Sequence, residues 1–120
     1  MAGFRDWDVV RVPFPYTDRT ERKFRPALIV SASALQVRHG LVWVAMITSA
    51  VNRGWPDDVV VSDLGKAGLP AASVIRPAKI ATIDAKDASR LGTLPEADRI
   101  AVHAVLSGLL ARRPFQGDKA

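Results

Sequence analysis

A mainly β domain of α+β type, a small curled sheet or barrel of about six short strands with one helix packed on its side, is predicted by three observations. Short apolar runs recur between residues 8 and 83; they are punctuated by Pro, Gly and polar clusters; and the apolar period turns helical only near the C-terminus.

The segment Asp8-Val9-Val10-Arg11-Val12 is rich in β-branched side chains and is closed by Pro13 and Pro15, which cannot donate to a sheet ladder, so it forms the first strand. Residues 16–23 carry no aliphatic side chain, and their Thr and Asp groups compete for backbone hydrogen bonds, which makes them an exposed, charged loop. Residues 27–31 and 41–47 are nearly continuous apolar runs, the pattern of strands covered on both faces, and take the centre of the sheet. Between them, residues 33–40 end on Gly40 and suit a short helical turn. Residues 58–62 read as a fourth strand and 64–70 as a loop. Residues 73–76 and 79–83 read as two further strands interrupted by Pro77.

Near the C-terminus Val102, Val105, Leu106 and Leu109 fall at i, i+3, i+4 and i+7 and form one apolar helix face. Thr93 and Glu96 have the spacing of a capping box, and Arg112-Arg113-Pro114 supplies cations and a stop, which predicts a helix over residues 94–111. Residues 1–114 then form one domain and residues 115–120 a loose tail.

Composition narrows the function classes. With no cysteine among 120 residues, disulfides and cysteine-ligated metals are excluded. The apolar runs 27–30 and 41–47 fall far short of the ~18 residues that span a bilayer, and the polar N-terminus does not resemble a secretory leader, so a cytoplasmic location is expected. Lys+Arg number 17 against 12 Asp+Glu, a net charge of +5, and a polyanion partner suits this balance as well as a merely arginine-rich surface does. There is no Gly-rich phosphate loop, no Gly-x-Ser-x-Gly elbow and no His pair at metal-ligand spacing, so neither a metal nor a cofactor is expected. His103 lies off the apolar helix stripe and reads as solvated, while His39 sits in a polar connection.

Polar groups at strand ends are the distinctive feature. Arg25 opens the second strand, and Thr48-Ser49 ends the third; if these strands are neighbours, the groups lie on one side of the sheet. A guanidinium matches the nonbridging oxygens of a phosphodiester and stabilises charge that grows in a pentacoordinate transition state, and a hydroxyl can orient the same phosphate. The plainer alternative is that Arg25 makes a surface ion pair and Thr48 only ends a strand.

The order of segments resembles the MazF/PemK-like toxins of bacterial toxin-antitoxin systems. The matching stretches are Asp8-Val9-Val10-Arg11-Val12-Pro13-Phe14-Pro15, Arg25-Pro26-Ala27-Leu28-Ile29-Val30-Ser31, Met46-Ile47-Thr48-Ser49, Ala67-Gly68-Leu69-Pro70, Ser73-Val74-Ile75-Arg76-Pro77 and Leu91-Gly92-Thr93-Leu94-Pro95. The likeness spans nearly the whole chain. It implies an SH3-like barrel in each subunit of a homodimer, metal-independent and sequence-selective cleavage of single-stranded RNA, and inhibition by a cognate antitoxin. It also implies that Arg25 and Thr48 are catalytic, the RNA 2'-hydroxyl attacking the adjacent phosphorus to leave a 2',3'-cyclic phosphate and a 5'-hydroxyl.

Two positions depart from some PemK-type relatives: the loop 16–23 has no histidine, and Ala78 stands where they place an aspartate, so the general acid and base stay open. Ser49, Arg19, Arg22, Lys23 and Arg53 are candidate substrate contacts, and Asp18 and Glu21 are loop carboxylates beside them. Arg76 would contact the RNA backbone, brace the site, or form an ion pair with Asp84 or Asp63. Trp55 would stack on an unpaired base or cover a barrel end, and Trp43 belongs to the core or to a dimer interface. The same barrel in the related CcdB toxins binds DNA gyrase without catalysis, which leaves a noncatalytic binder or a degenerate RNA- or antitoxin-binding relative as alternatives.

Overall fold

The structure, a computed structural model, describes residues 3–13 and 23–111. One six-stranded, wholly antiparallel sheet is built from β1 (Asp8–Pro13), β2 (Phe24–Ile29), β3 (Leu41–Ser49), β4 (Val59–Val60), β5 (Ser73–Asp84) and β6 (Ser89–Thr93). Its order is β4-β5-β3-β2-β1-β6, so the two continuous apolar runs are indeed central. Among the described residues three α-helices accompany it: α1 (Ser33–His39), α2 (Leu64–Ala67) and α3 (Glu96–Leu109).

Alternation along the strands divides the core in two. Val9, Leu28, Ala45, Ile47 and Ile75 face one way and pack with Ala67, Leu94 and Val102 from the helical side. Val10, Val12, Ala27, Ile29, Val44 and Met46 face the other way and close around Ile83 and Ala85. Both faces of β1, β2 and β3 are therefore covered, which is why their sequences lack a polar alternation.

The residues around Pro77 form one strand, not two. The pairing Met46↔Arg76 is followed directly by Ala45↔Ile80, so Pro77, Ala78 and Lys79 are extra residues on β5. A bulge accepts a proline that cannot donate, and the strand continues past it. The sixth strand is Ser89–Thr93, an edge strand on β1 that the apolar pattern does not mark. The fourth strand shrinks from the expected 58–62 to Val59–Val60, and the expected loop 64–70 contains the single turn α2.

The capping box is not formed. Thr93 still belongs to the β6 ladder, opposite Asp8, and its hydroxyl is taken up by the Trp7 carbonyl (3.3 Å) and by Arg99 Nη2, which donates to it at 3.1 Å. The helix starts only at Glu96, behind Pro95, and ends at Leu109 short of the expected 111. Val102 is wholly buried, whereas Leu109 at the end of the expected stripe is exposed. Trp43 is 48% exposed, so it is not a core residue of this chain. The residues 115–120 expected to form a tail lie outside the described residues.

Two glycines in the matching motifs fix how α2 meets β6. Gly68 ends α2 at φ 74°, and a Cβ there would collide with the Leu91 carbonyl; a Cβ on Gly92 would collide with the Lys66 carbonyl. Backbone on backbone at this distance leaves room for no side chain.

Candidate functional site

Strand register assembles the site. β2 and β3 pair as Ala27↔Met46, Leu28↔Ala45 and Ile29↔Val44. Continuing this register two residues toward the end of the sheet brings Arg25 level with Thr48. Both then share the face of Ala27 and Met46, because side chains two apart on a strand point the same way. Arg76 pairs with Met46 from the opposite flank and joins that face. The sequence condition that strands two and three be neighbours is met.

The surroundings of these groups differ. Arg25 is exposed, Thr48 is half-buried, and Ser49 is exposed with its hydroxyl accepting the Val51 N–H at 3.4 Å. That bond starts a 3-10 turn, Ala50–Asn52, which folds the chain back so that Asn52 Nδ2 donates to Thr48 Oγ1 at 3.0 Å.

Arg76 is only 5% exposed. Its Nε donates to Asp58 Oδ1 (3.0 Å) and its Nη2 to Asp58 Oδ2 (2.9 Å), a two-pronged pair, and Nη2 also donates to the Asn52 carbonyl at 2.8 Å. The Trp55 ring lies over the guanidinium, 4.4 Å from Cζ to the ring centre, with Lys79 Nζ at 5.8 Å from the same centre. The partner is thus Asp58, and not Asp84 or Asp63. A buried guanidinium needs such an arrangement, since an unpaired buried charge costs several kcal/mol. In return the Arg76 hydrogen bonds, with its charge and the Gly54 and Trp55 amides adding to them, hold the Asp58 carboxyl below its ordinary value against the opposing effect of burial. Asp58 therefore stays ionised near neutral pH and is a poor proton acceptor.

Trp55 keeps 45% of its surface exposed beside this clamp. Lys23 and Arg53 are exposed at the start of β2 and in the 50–58 loop. Arg19 and Arg22, with Asp18 and Glu21, lie outside the described residues. His39 and His103 are exposed. Among the described residues, no three His, Asp or Glu side chains converge to hold a metal ion. Sequence reasoning missed Asn52 and Asp58 as members of the site. The signal for Asn52 is its position four residues after Thr48 across a strand end; nothing local marks Asp58, which meets Arg76 only through the fold.

The family model described as PemK-like, MazF-like toxin of type II toxin-antitoxin system matches residues 5–110. The chain belongs to this toxin family. Solved structures agree on the fold. MazF from Deinococcus radiodurans has a TM-score of 0.74 at 22% identity, covering 93% of this chain and 100% of that one. An endoribonuclease in complex with its cognate antitoxin, from a mycobacterial species, has a TM-score of 0.70 at 19% identity and covers 93% and 100%. A Mycobacterium tuberculosis (Mtb) toxin is 30% identical over 72% of this chain and 92% of its own, with a TM-score of 0.59. The search of curated proteins returns no match. The expected MazF-type curled sheet with a C-terminal helix is therefore present, and the MazF/PemK-like toxin carries no described helix long and apolar enough to cross a membrane.

Proposed function

We propose that this chain is the endoribonuclease toxin of a toxin-antitoxin pair, cleaving single-stranded RNA at the Arg25 and Thr48 end of the sheet. The observation that carries the reading is the β2–β3 register, whose continuation beyond the last pair, Ala27↔Met46, would set the exposed Arg25 guanidinium level with the strand-end Thr48 hydroxyl on one face. In the reaction the RNA 2'-hydroxyl attacks the adjacent phosphorus and the 5'-oxygen leaves, giving a 2',3'-cyclic phosphate and a 5'-hydroxyl. Arg25 stabilises the charge gathering on the nonbridging oxygens, and the Thr48 hydroxyl fixes their orientation. No step is assigned to a metal ion.

The remaining residues serve this centre. Trp55 offers its free face to an unpaired base, and Ser49, Lys23, Arg53, Arg19 and Arg22 receive the backbone. Arg76, committed to Asp58 and Asn52, braces the site from within. The partners are single-stranded RNA, a cognate antitoxin and a second copy of the chain. Support for an antitoxin comes from family membership and from the mycobacterial relative solved with its own. Trp43 and Ile80, diagonal neighbours on β3 and β5 and each about half exposed, offer apolar surface to the second copy. The site of action is the cytoplasm.

The test is incubation of the purified protein with long single-stranded RNA in excess EDTA, with product ends mapped. Discrete cuts bearing 5'-hydroxyl ends, absent with Arg25→Ala, are expected. Intact RNA across unrelated sequences would reject the nuclease in favour of a noncatalytic binder.

A further inference from the structure

We propose that Asn52 is a positioning residue for the Thr48 hydroxyl, and that the buried Arg76–Asp58 pair exists in part to hold Asn52 in place. The proposal rests on the ribonuclease reading above and assigns a role to a residue that reading leaves unused.

A threonine hydroxyl has one proton and two acceptor lone pairs, and it turns to suit whatever stands beside it. Beside Thr48 stands a donor, Asn52 Nδ2 at 3.0 Å. The bond engages a lone pair and leaves the Thr48 proton free to be given to an incoming phosphate oxygen. An acceptor in the same place would take that proton and turn the hydroxyl away from the substrate. The bond also selects one side-chain rotamer for Thr48, which removes part of the ordering that the transition state would otherwise require.

Such a device works only if Asn52 is itself fixed, and it is held from both ends of its turn. Ala50 N–H donates to the Ala72 carbonyl at 2.9 Å, and the Asn52 carbonyl accepts Arg76 Nη2 at 2.8 Å. Arg76 in turn is clamped by both Asp58 oxygens. A continuous series of bonds therefore runs from a buried ion pair to the strand-end hydroxyl: Asp58 to Arg76, Arg76 to Asn52, Asn52 to Thr48. Trp55 is stacked on the same guanidinium, so the aromatic offered to a base and the hydroxyl offered to the phosphate share one rigid support.

Asn52 is exposed, which makes the test clean. Single-turnover cleavage is measured for wild type, Asn52→Ala, Thr48→Ala and the double variant. Asn52→Ala is expected to lower the rate of the chemical step about tenfold, with KM within about twofold of wild type and a melting temperature within about 2 °C. In the Thr48→Ala background the Asn52→Ala change is expected to add no more than about twofold, because it acts through that hydroxyl. A separate spectrum reads the bond without RNA: Thr48→Val should shift the Asn52 side-chain amide signals in a nitrogen-proton correlation experiment. Full cleavage by Asn52→Ala, losses that multiply in the double variant, or unmoved amide signals would each overturn the proposal while the nuclease stands. RNA left intact by the wild-type protein would overturn the nuclease reading itself, and this role with it.

Discussion

Arg25 and Arg76 stand on opposite flanks of β3, at the same end of the sheet and on the same face, yet their surroundings differ. Arg25 is exposed at the mouth of β2. Arg76 is buried, paired with both oxygens of Asp58 and roofed by Trp55. On the proposed reading, one side-chain chemistry divides into two tasks. An exposed guanidinium can meet a phosphate, whereas one buried in a two-pronged ion pair fixes the segment around it. The contrast predicts a separation of effects on activity and on stability.

The largest effect is expected on the open side. Arg25→Ala should reduce RNA cleavage by about 10²–10³-fold, the cost of losing one charge-stabilising donor, with stability changed by less than about 0.5 kcal/mol. Cleavage kinetics and chemical denaturation, run on the same preparation, check both halves.

On the closed side the effect moves to stability. Asp58→Ala leaves a buried guanidinium without its counter-charge and should cost roughly 3 kcal/mol of unfolding free energy. The pH dependence has a definite sign. Arg76 holds the Asp58 carboxyl below its ordinary value of 3.8, so the folded state favours the carboxylate. Its stabilisation is fully present above that value and is lost as the pH falls through the lower, folded-state value. Wild type should therefore lose stability more steeply than Asp58→Ala below about pH 4, and denaturant titrations at a series of pH values measure this.

A smaller loss is expected where backbone meets backbone. Gly68→Ala places a Cβ at φ 74° against the Leu91 carbonyl and should cost more than about 1 kcal/mol, read as a lower unfolding midpoint. The smallest effect belongs to Trp55, which bridges the two sides. Trp55→Ala should weaken RNA binding by about 1 kcal/mol, the low end for a base stacked on an aromatic ring, as measured by titration with an uncleavable RNA.

What could be read in advance followed from local chemistry. The strands around Leu28 and Val44 were legible because continuous apolar runs mark strands buried on both faces, and the strand around Val9 because its β-branched residues end at Pro13. The helix face at Val102 was legible by its period, although its start was not, since Thr93 is held across the sheet by Trp7 and Arg99 instead of capping. Ser89–Thr93 hid because an exposed edge strand is held by ladder bonds to β1, which leave no apolar alternation. Pro77 announced a bend, but only the pairing with β3 shows the strand resuming at Ile80.

The site divides in the same way. Arg25 and Thr48 stood out as residue types at strand ends, while their alignment depends on the register of two strands. Asp58 could not be singled out as the partner of Arg76, because Asp63 and Asp84 are nearer in sequence and loop geometry decides among them.

The most direct measurement compares Arg25→Ala with Arg76→Ala, each assayed for RNA cleavage and for thermal unfolding. Arg25→Ala is expected to lose cleavage by at least about 10²-fold at an unchanged melting temperature, whereas Arg76→Ala is expected to melt lower by about 10 °C or more. An Arg25→Ala protein that still cleaves RNA, or an Arg76→Ala protein that melts like wild type, would contradict this division between the two arginines.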